Sequence, residues 1–166
     1  MDTSYNYYSV KFISHEEGIM KVLMVSILMT MVAGCSVGRS GHIGVHEGKL
    51  SQCPESPNCV ASQSQDVKHY INPIPYKGDR EQARKRMVSI IQGMKRAKIV
   101  ALKDDYIHAE FTSAIFRFVD DVEIYFDDGS KTIHMRSASR IGYSDFGVNR
   151  KRLENIRTNY IAMSSS

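Results

Sequence analysis

The chain has 166 residues, of which 42% are hydrophobic and 24% charged. That balance is that of a folded globular protein and excludes disorder along the whole length. Trp is absent and aromatics make up 9%, which argues against an aromatic-lined sugar or quaternary-amine site. A formal charge of +4 without a long Lys/Arg run gives no support for nucleic-acid binding.

The first informative stretch is Met20–Ser36. Lys21 supplies a short positive start, the run from Val22 to Val32 is apolar, and Val32-Ala33-Gly34-Cys35 closes it. The run is shorter than the about 20 residues needed to span a bilayer and has the length of a signal-peptide core. The closing tetrapeptide resembles the bacterial lipobox, in which the cysteine accepts a diacylglyceryl group. Residues 20–35 are therefore expected to be a lipoprotein signal peptide, with Cys35 lipidated and the mature chain exported. The alternative is a buried helix ending at Gly34-Cys35, but this stretch has no polar face for water.

Residues 1–19 do not suit a signal peptide, because His15, Glu16 and Glu17 stand where a positive region belongs. Glu16-Glu17-Gly18 is encoded by purine-dominated codons just upstream of the Met20 codon, as a ribosome-binding site would be. Met20 is the expected start and residues 1–19 an extension that is not part of the protein; the alternative is a genuine extended n-region. Removing residues 1–35 takes away two lysines and three acids, so the mature chain is slightly more basic.

Residues 36–50 carry Gly38, Gly41, Gly44 and Gly48 and are expected to be a flexible tether. His42 and His46 are four apart, but Gly44 between them spoils a helix, and no metal site is expected. Residues 51–166 form the expected single globular domain. Near its start, Cys53 and Cys59 frame Pro54-Glu55-Ser56-Pro57-Asn58. In an exported chain, two close thiols are most simply a disulfide. Free or redox-active thiols are the alternative. Zinc would need two further ligands, and a catalytic thiolate would need a base that the sequence does not display.

Asp79 opens a helix with Gln82 three residues on, and Ala83, Met87, Ile90, Ile91, Met94 and Ala97 make its apolar stripe. Four strands follow: Lys98–Leu102, Tyr106–Ile115, Val119–Phe126 and Lys131–Ile141. Asp128-Gly129 signals a two-residue hairpin. With Asp127 opposite Ser130, Ile124 would face Ile133 and Val122 would face Met135. On the other sheet face Glu123 would meet His134 and Asp121 would meet Arg136. Phe116-Arg117-Phe118 at the preceding bend is expected to tuck into the core. A last helix begins with Asn149 as N-cap and buries Leu153, Ile156, Tyr160 and Met163. The order predicts an α+β fold: helix, four-stranded antiparallel meander, helix, with both helices on one sheet face and the other face polar.

Four segments together resemble the bacterial and plastid family known as domain of unknown function 1499. They are Cys53–Val60, Tyr106-Ile107-His108-Ala109-Glu110, Val119-Asp120-Asp121-Val122-Glu123 and the long run Arg136–Arg150, the most specific of the four. The resemblance covers about Leu50 to Arg157. It implies no established activity.

The polar sheet face is expected to gather Tyr106, His108, Glu110, Asp121, Glu123, His134, Arg136 and Arg140. Such a set can bind an anion or an acidic partner, or perform acid–base chemistry; it can equally be a solvated face of cross-strand pairs. With Asp121 neutralising Arg136, Arg140 is expected to be the freer anion reader. Asp120 should point to the core side, with Arg150 or Arg152 as its partner. The loop Tyr143-Ser144-Asp145-Phe146-Gly147 before the last helix is a second candidate, with Asp145 an alternative cap, but it lacks a phosphate fingerprint. No cofactor is expected. The leading expectation is a non-enzymatic binding or envelope-maintenance module, lipid-anchored at the periplasmic face of the outer membrane. The alternative is an enzyme using the polar face or the Tyr143–Gly147 loop.

Overall fold

The computed structural model describes residues 43–164. The leader, Cys35 and the first part of the expected tether lie outside the described residues. Four short strands come first: β1 (Val45–His46), β2 (Lys49–Leu50), β3 (Cys59–Ala61) and β4 (Ile74–Pro75). Helix α1 (Arg80–Gln92) follows, then β5 (Ala97–Leu102), β6 (Tyr106–Thr112), β7 (Val119–Asp127), β8 (Thr132–Ser139) and helix α2 (Val148–Ser164).

The expected meander is present as β5-β6-β7-β8, all antiparallel. It is part of a larger, six-stranded sheet, because β3 and β4 both pair along the free edge of β8. Strands of two or three residues carry too little alternation to be seen in sequence, and pairing with a long neighbour is what orders them. One face of the sheet buries Ile107, Ala109, Val122, Ile124, Ile133 and Met135 in a single core. Ala83, Met87 and Ile91 of α1 and Leu153, Ile156 and Tyr160 of α2 enter the same core. Both helices therefore cover one face, as the two periodicities require. The Asp79 carboxylate accepts from the Gln82 amide at 2.7 Å and starts α1.

The hairpin register differs from the expected one by two residues. Ile124 faces Met135, Phe126 faces Ile133, Glu123 faces Arg136 and Tyr125 faces His134. The connection is the four-residue loop Asp128–Lys131, with the positive φ of 51° at Lys131 rather than in an Asp-Gly pair. The Asp127 carboxylate accepts from the Gly129 amide and the Ser130 hydroxyl, at 3.0 and 2.7 Å. The Tyr76 hydroxyl and amide hold the loop from outside, at Asp128 and at the Lys131 carbonyl. A shift of two preserves which face each side chain takes and changes every partner.

Three further expectations are corrected. Residues 45–50, read as tether, form the β1–β2 hairpin, with Leu50 buried. Phe116 and Phe118 are not core: they are 72% and 47% exposed and stack on each other at 5.5 Å. Arg117 between them takes a positive φ of 57°. Asn149 is not the cap of α2, which starts one residue earlier. Asp145 does the capping, accepting from the Gly147 and Asn149 amides at 3.1 and 2.6 Å. Among the described residues no helix is long and apolar enough to cross a membrane.

Candidate functional site

The sheet face opposite the helices is polar, as its alternation demands, but it is not a solvated surface. Asp121, Glu123 and Arg136 are fully buried, and Tyr106 and His108 nearly so. The β1–β2 hairpin lies over part of it. The Gly44 amide donates to Glu123 Oε1 at 2.7 Å, and a side chain at Gly48 would meet the Tyr125 hydroxyl.

Within this layer the charges are consumed by one another. Arg136 Nη1 donates to Glu123 Oε2 at 2.9 Å, while the Tyr106 hydroxyl donates to Glu123 Oε1 at 2.7 Å. Burial, reinforced by the Glu123 charge, pushes the Tyr106 phenol well above its ordinary range. One residue pair along the strands, Arg140 donates through Nε and Nη2 to both oxygens of Asp121, at 2.9 and 2.8 Å, and also to Glu110. That bidentate contact with Asp121, with Glu110 adding to it, holds the guanidinium charged even more firmly than usual. His108 Nε2 sits 2.7 Å from Asp121 Oδ1.

The expected partners are thus exchanged. Asp121 neutralises Arg140 rather than Arg136, because the two-residue shift puts Glu123 opposite Arg136 and brings Arg140 alongside Asp121. Arg140 is not the freer cation, and Arg136 is closed off from solvent, with its Nε and Nη2 buried without a hydrogen-bond partner. His134 stands apart from this network. It stacks on Tyr125, its Nδ1 is 3.3 Å from the Ser62 hydroxyl, and burial depresses its pKa.

A second polar cluster sits on the helix side, where β7 and β8 meet the first turn of α2. Asp120 is buried and accepts from Arg152 Nη2 at 2.6 Å. The same guanidinium donates through Nη1 to Ser137 and to Asn149, and lies over the Phe111 ring. Asn149 is fully buried and donates to the Ser139 hydroxyl and the Asn58 carbonyl, at 3.0 and 2.8 Å. Of the two expected partners for Asp120, Arg152 is the one that bonds it; Arg150 instead clasps the carbonyls of Tyr70 and Lys68. In the Tyr143–Gly147 loop, Tyr143 is 77% exposed and Asp145 caps α2.

Cys53 and Cys59 are joined in a disulfide, with Cα atoms 5.5 Å apart. A cleft beside it is lined by Lys49, Leu50, Pro54, Gln63 and His69 and contains none of the charged residues of the sheet face. Among the described residues no group of three His, Cys, Asp or Glu side chains is placed to hold a metal ion. Sequence reasoning missed the Gly44 amide on Glu123, Ser62 beside His134, and Asn58. Asn58 lies within Cys53–Val60, one of the four segments that carry the family resemblance.

These features define an α+β domain whose polar sheet face is an internal ionic layer rather than an open cleft. The chain belongs to the family described as "Protein of unknown function (DUF1499)", which it matches over residues 49–159. A comparison with curated proteins gives no match.

Proposed function

We propose that the protein is a membrane-anchored envelope lipoprotein whose domain binds or supports envelope components and performs no catalysis. The observation that carries this reading is the internal pairing of the ionisable groups. Glu110, Asp121, Glu123 and Asp120 each accept from an arginine within the fold. A general base or acid has to reach a substrate proton, and these carboxylates are committed elsewhere. The Cys53–Cys59 bond supports an exported address, since such bonds persist in oxidising compartments. Lipid at Cys35 would hold the domain at the periplasmic face of the outer membrane.

Metabolic labelling with a palmitate analogue, read beside Cys35→Ser, tests the anchor. Labelling that depends on Cys35, with the variant left unprocessed, is the expected result; an unlabelled mature protein overturns it. The catalytic alternative requires the polar face to open. A Glu123- or Asp121-dependent turnover of any ester, phosphoester or glycoside substrate would establish it in place of the binding reading.

A further inference from the structure

The end of the sheet where β6 turns into β7 carries a group of side chains that the fold does not use. The β6–β7 turn presents Ile115, Phe116 and Phe118, and the β8–α2 loop with the first residue of α2 presents Tyr143, Phe146 and Val148. Both leave the sheet at the same end: Thr112 faces Val119, Asp120 faces Ser139, and the Arg140 amide donates to the Val119 carbonyl at 3.1 Å. Phe146 is 97% exposed and sits at a positive φ of 54°. A large side chain in that backbone region is uncommon, and here it carries a phenyl ring wholly into solvent.

The charge around these tips is mostly positive. Lys95, Arg96, Arg117 and Lys151 are exposed there. A shallow hollow between the tips is lined in part by Lys95, Arg96, Ala114, Val148 and Lys151. The nearby carboxylates are engaged, Asp120 with Arg152 and Asp145 with the start of α2. Aromatic rings on projecting loops, ringed by lysine and arginine that have no carboxylate partner among the described residues, with Arg96 Nε donating only to the Thr112 carbonyl, match a surface that is apolar inside and anionic at its boundary.

We propose that this end of the domain docks on an anionic lipid surface. The Phe116/Phe118 stack and Phe146 enter the boundary between headgroups and acyl chains, and Lys95, Arg96, Arg117 and Lys151 meet the headgroup phosphates. A protein partner would be expected to offer a cavity for each projecting ring; a bilayer accepts both at once without one. The proposal does not depend on lipid at Cys35.

The chain has no Trp, so one introduced indole reports one place. Phe116→Trp and Phe146→Trp mark the two tips, and Leu102→Trp, at the opposite end of the sheet, is the control. Each is made in the full chain carrying Cys35→Ser. Each is mixed with vesicles of phosphatidylethanolamine and phosphatidylglycerol, or of phosphatidylcholine alone, with brominated acyl chains as quencher. Any attachment through the leader is common to all three, so the comparison reads which end touches the bilayer. The expected result is a blue shift and quenching of about twofold or more at both tips on the anionic vesicles, with Leu102→Trp unchanged. Lys95→Glu with Lys151→Glu should abolish the tip response. Tip signals equal to the control overturn the proposal, and equal responses on phosphatidylcholine overturn its electrostatic part. A blue shift that grows with protein concentration and needs no vesicles assigns the tips to a second copy of the chain and overturns it. None of these outcomes depends on palmitate labelling at Cys35, so a failure here is distinct from a failure of the anchor.

Discussion

Replacing Glu123 by Gln keeps the shape of the side chain and removes its charge. In the native fold Glu123 is fully buried and accepts from Arg136, the Tyr106 hydroxyl and the Gly44 amide. The variant leaves a buried guanidinium with no counter-charge, a situation that destabilises by about 3–5 kcal/mol. For a domain of this size that lowers the melting temperature by roughly 10–20 °C. Arg136→Met leaves the buried Glu123 carboxylate without its counter-charge and should cost at most a similar amount, about 3–5 kcal/mol. It removes a group whose Nε and Nη2 already lack partners, and Glu123 keeps two donors on Oε1. The double variant should recover most of the loss caused by Glu123→Gln, since two neutral side chains of similar volume need no counter-charge. Guanidinium unfolding at neutral pH, with the disulfide intact, measures all three. Glu81→Gln, at the exposed Glu81–Lys85 pair, is the control. The reasoning fails if Glu123→Gln behaves like Glu81→Gln, or if the two single losses simply add.

Three further outcomes follow from the same geometry. Arg152→Ala leaves Asp120 buried without its cation and should lower stability by about 2–4 kcal/mol, read by chemical unfolding. Cys53→Ser with Cys59→Ser opens a short loop and should lower stability by about 2 kcal/mol, the entropy of so small a ring. Burial depresses the His134 pKa in the fold, so the unfolded chain takes up its proton first. Stability from this group is therefore present above the unfolded value of about 6.5 and lost as pH falls towards the folded value. His134→Gln should flatten that part of the profile; a variant with the same slope as the parent between neutral and mildly acidic pH would contradict it.

The helices and the four long strands were legible because each carries its period over a sufficient length. Ala83, Met87 and Ile91 repeat as a helix must, and Ile107, Ala109 and Phe111 alternate as a strand must. The sides taken by Asp121, Glu123 and Arg136 were legible for the same reason. What was not legible was which carboxylate meets which arginine. A two-residue slip leaves the alternation untouched and still sets opposite charges across the hairpin, so the pattern could not choose. The choice was made by Asp127 binding Gly129 and Ser130, and by Tyr76 reaching Asp128 from far along the chain. Burial of the polar face was hidden for a related reason. The Gly44–Glu123 hydrogen bond spans 79 residues of sequence, and nothing local marks either end.

The positions of the two exposed tips follow from where the fold spends its polar contacts. At the Asp128 end of the sheet, Tyr76 and Lys131 tie the loop down, and β4 pairs beside it. At the opposite end the same kind of contact exists, but it turns inward: Asp145 caps α2, Arg152 neutralises Asp120, and Asn149 links β8 to Asn58. Those bonds fix the backbone of the β8–α2 loop while leaving its side chains outside. Phe146 and Tyr143 therefore project from an anchored loop. A ring held on such a loop loses less conformational freedom when it is buried by a partner than one on a mobile tail. The network beneath the tips thus contributes to docking without touching what is docked. Weakening it by Asn149→Ala should reduce tip quenching on anionic vesicles even though every exposed side chain remains. Undiminished quenching in that variant would show that the rings act independently of the cluster beneath them.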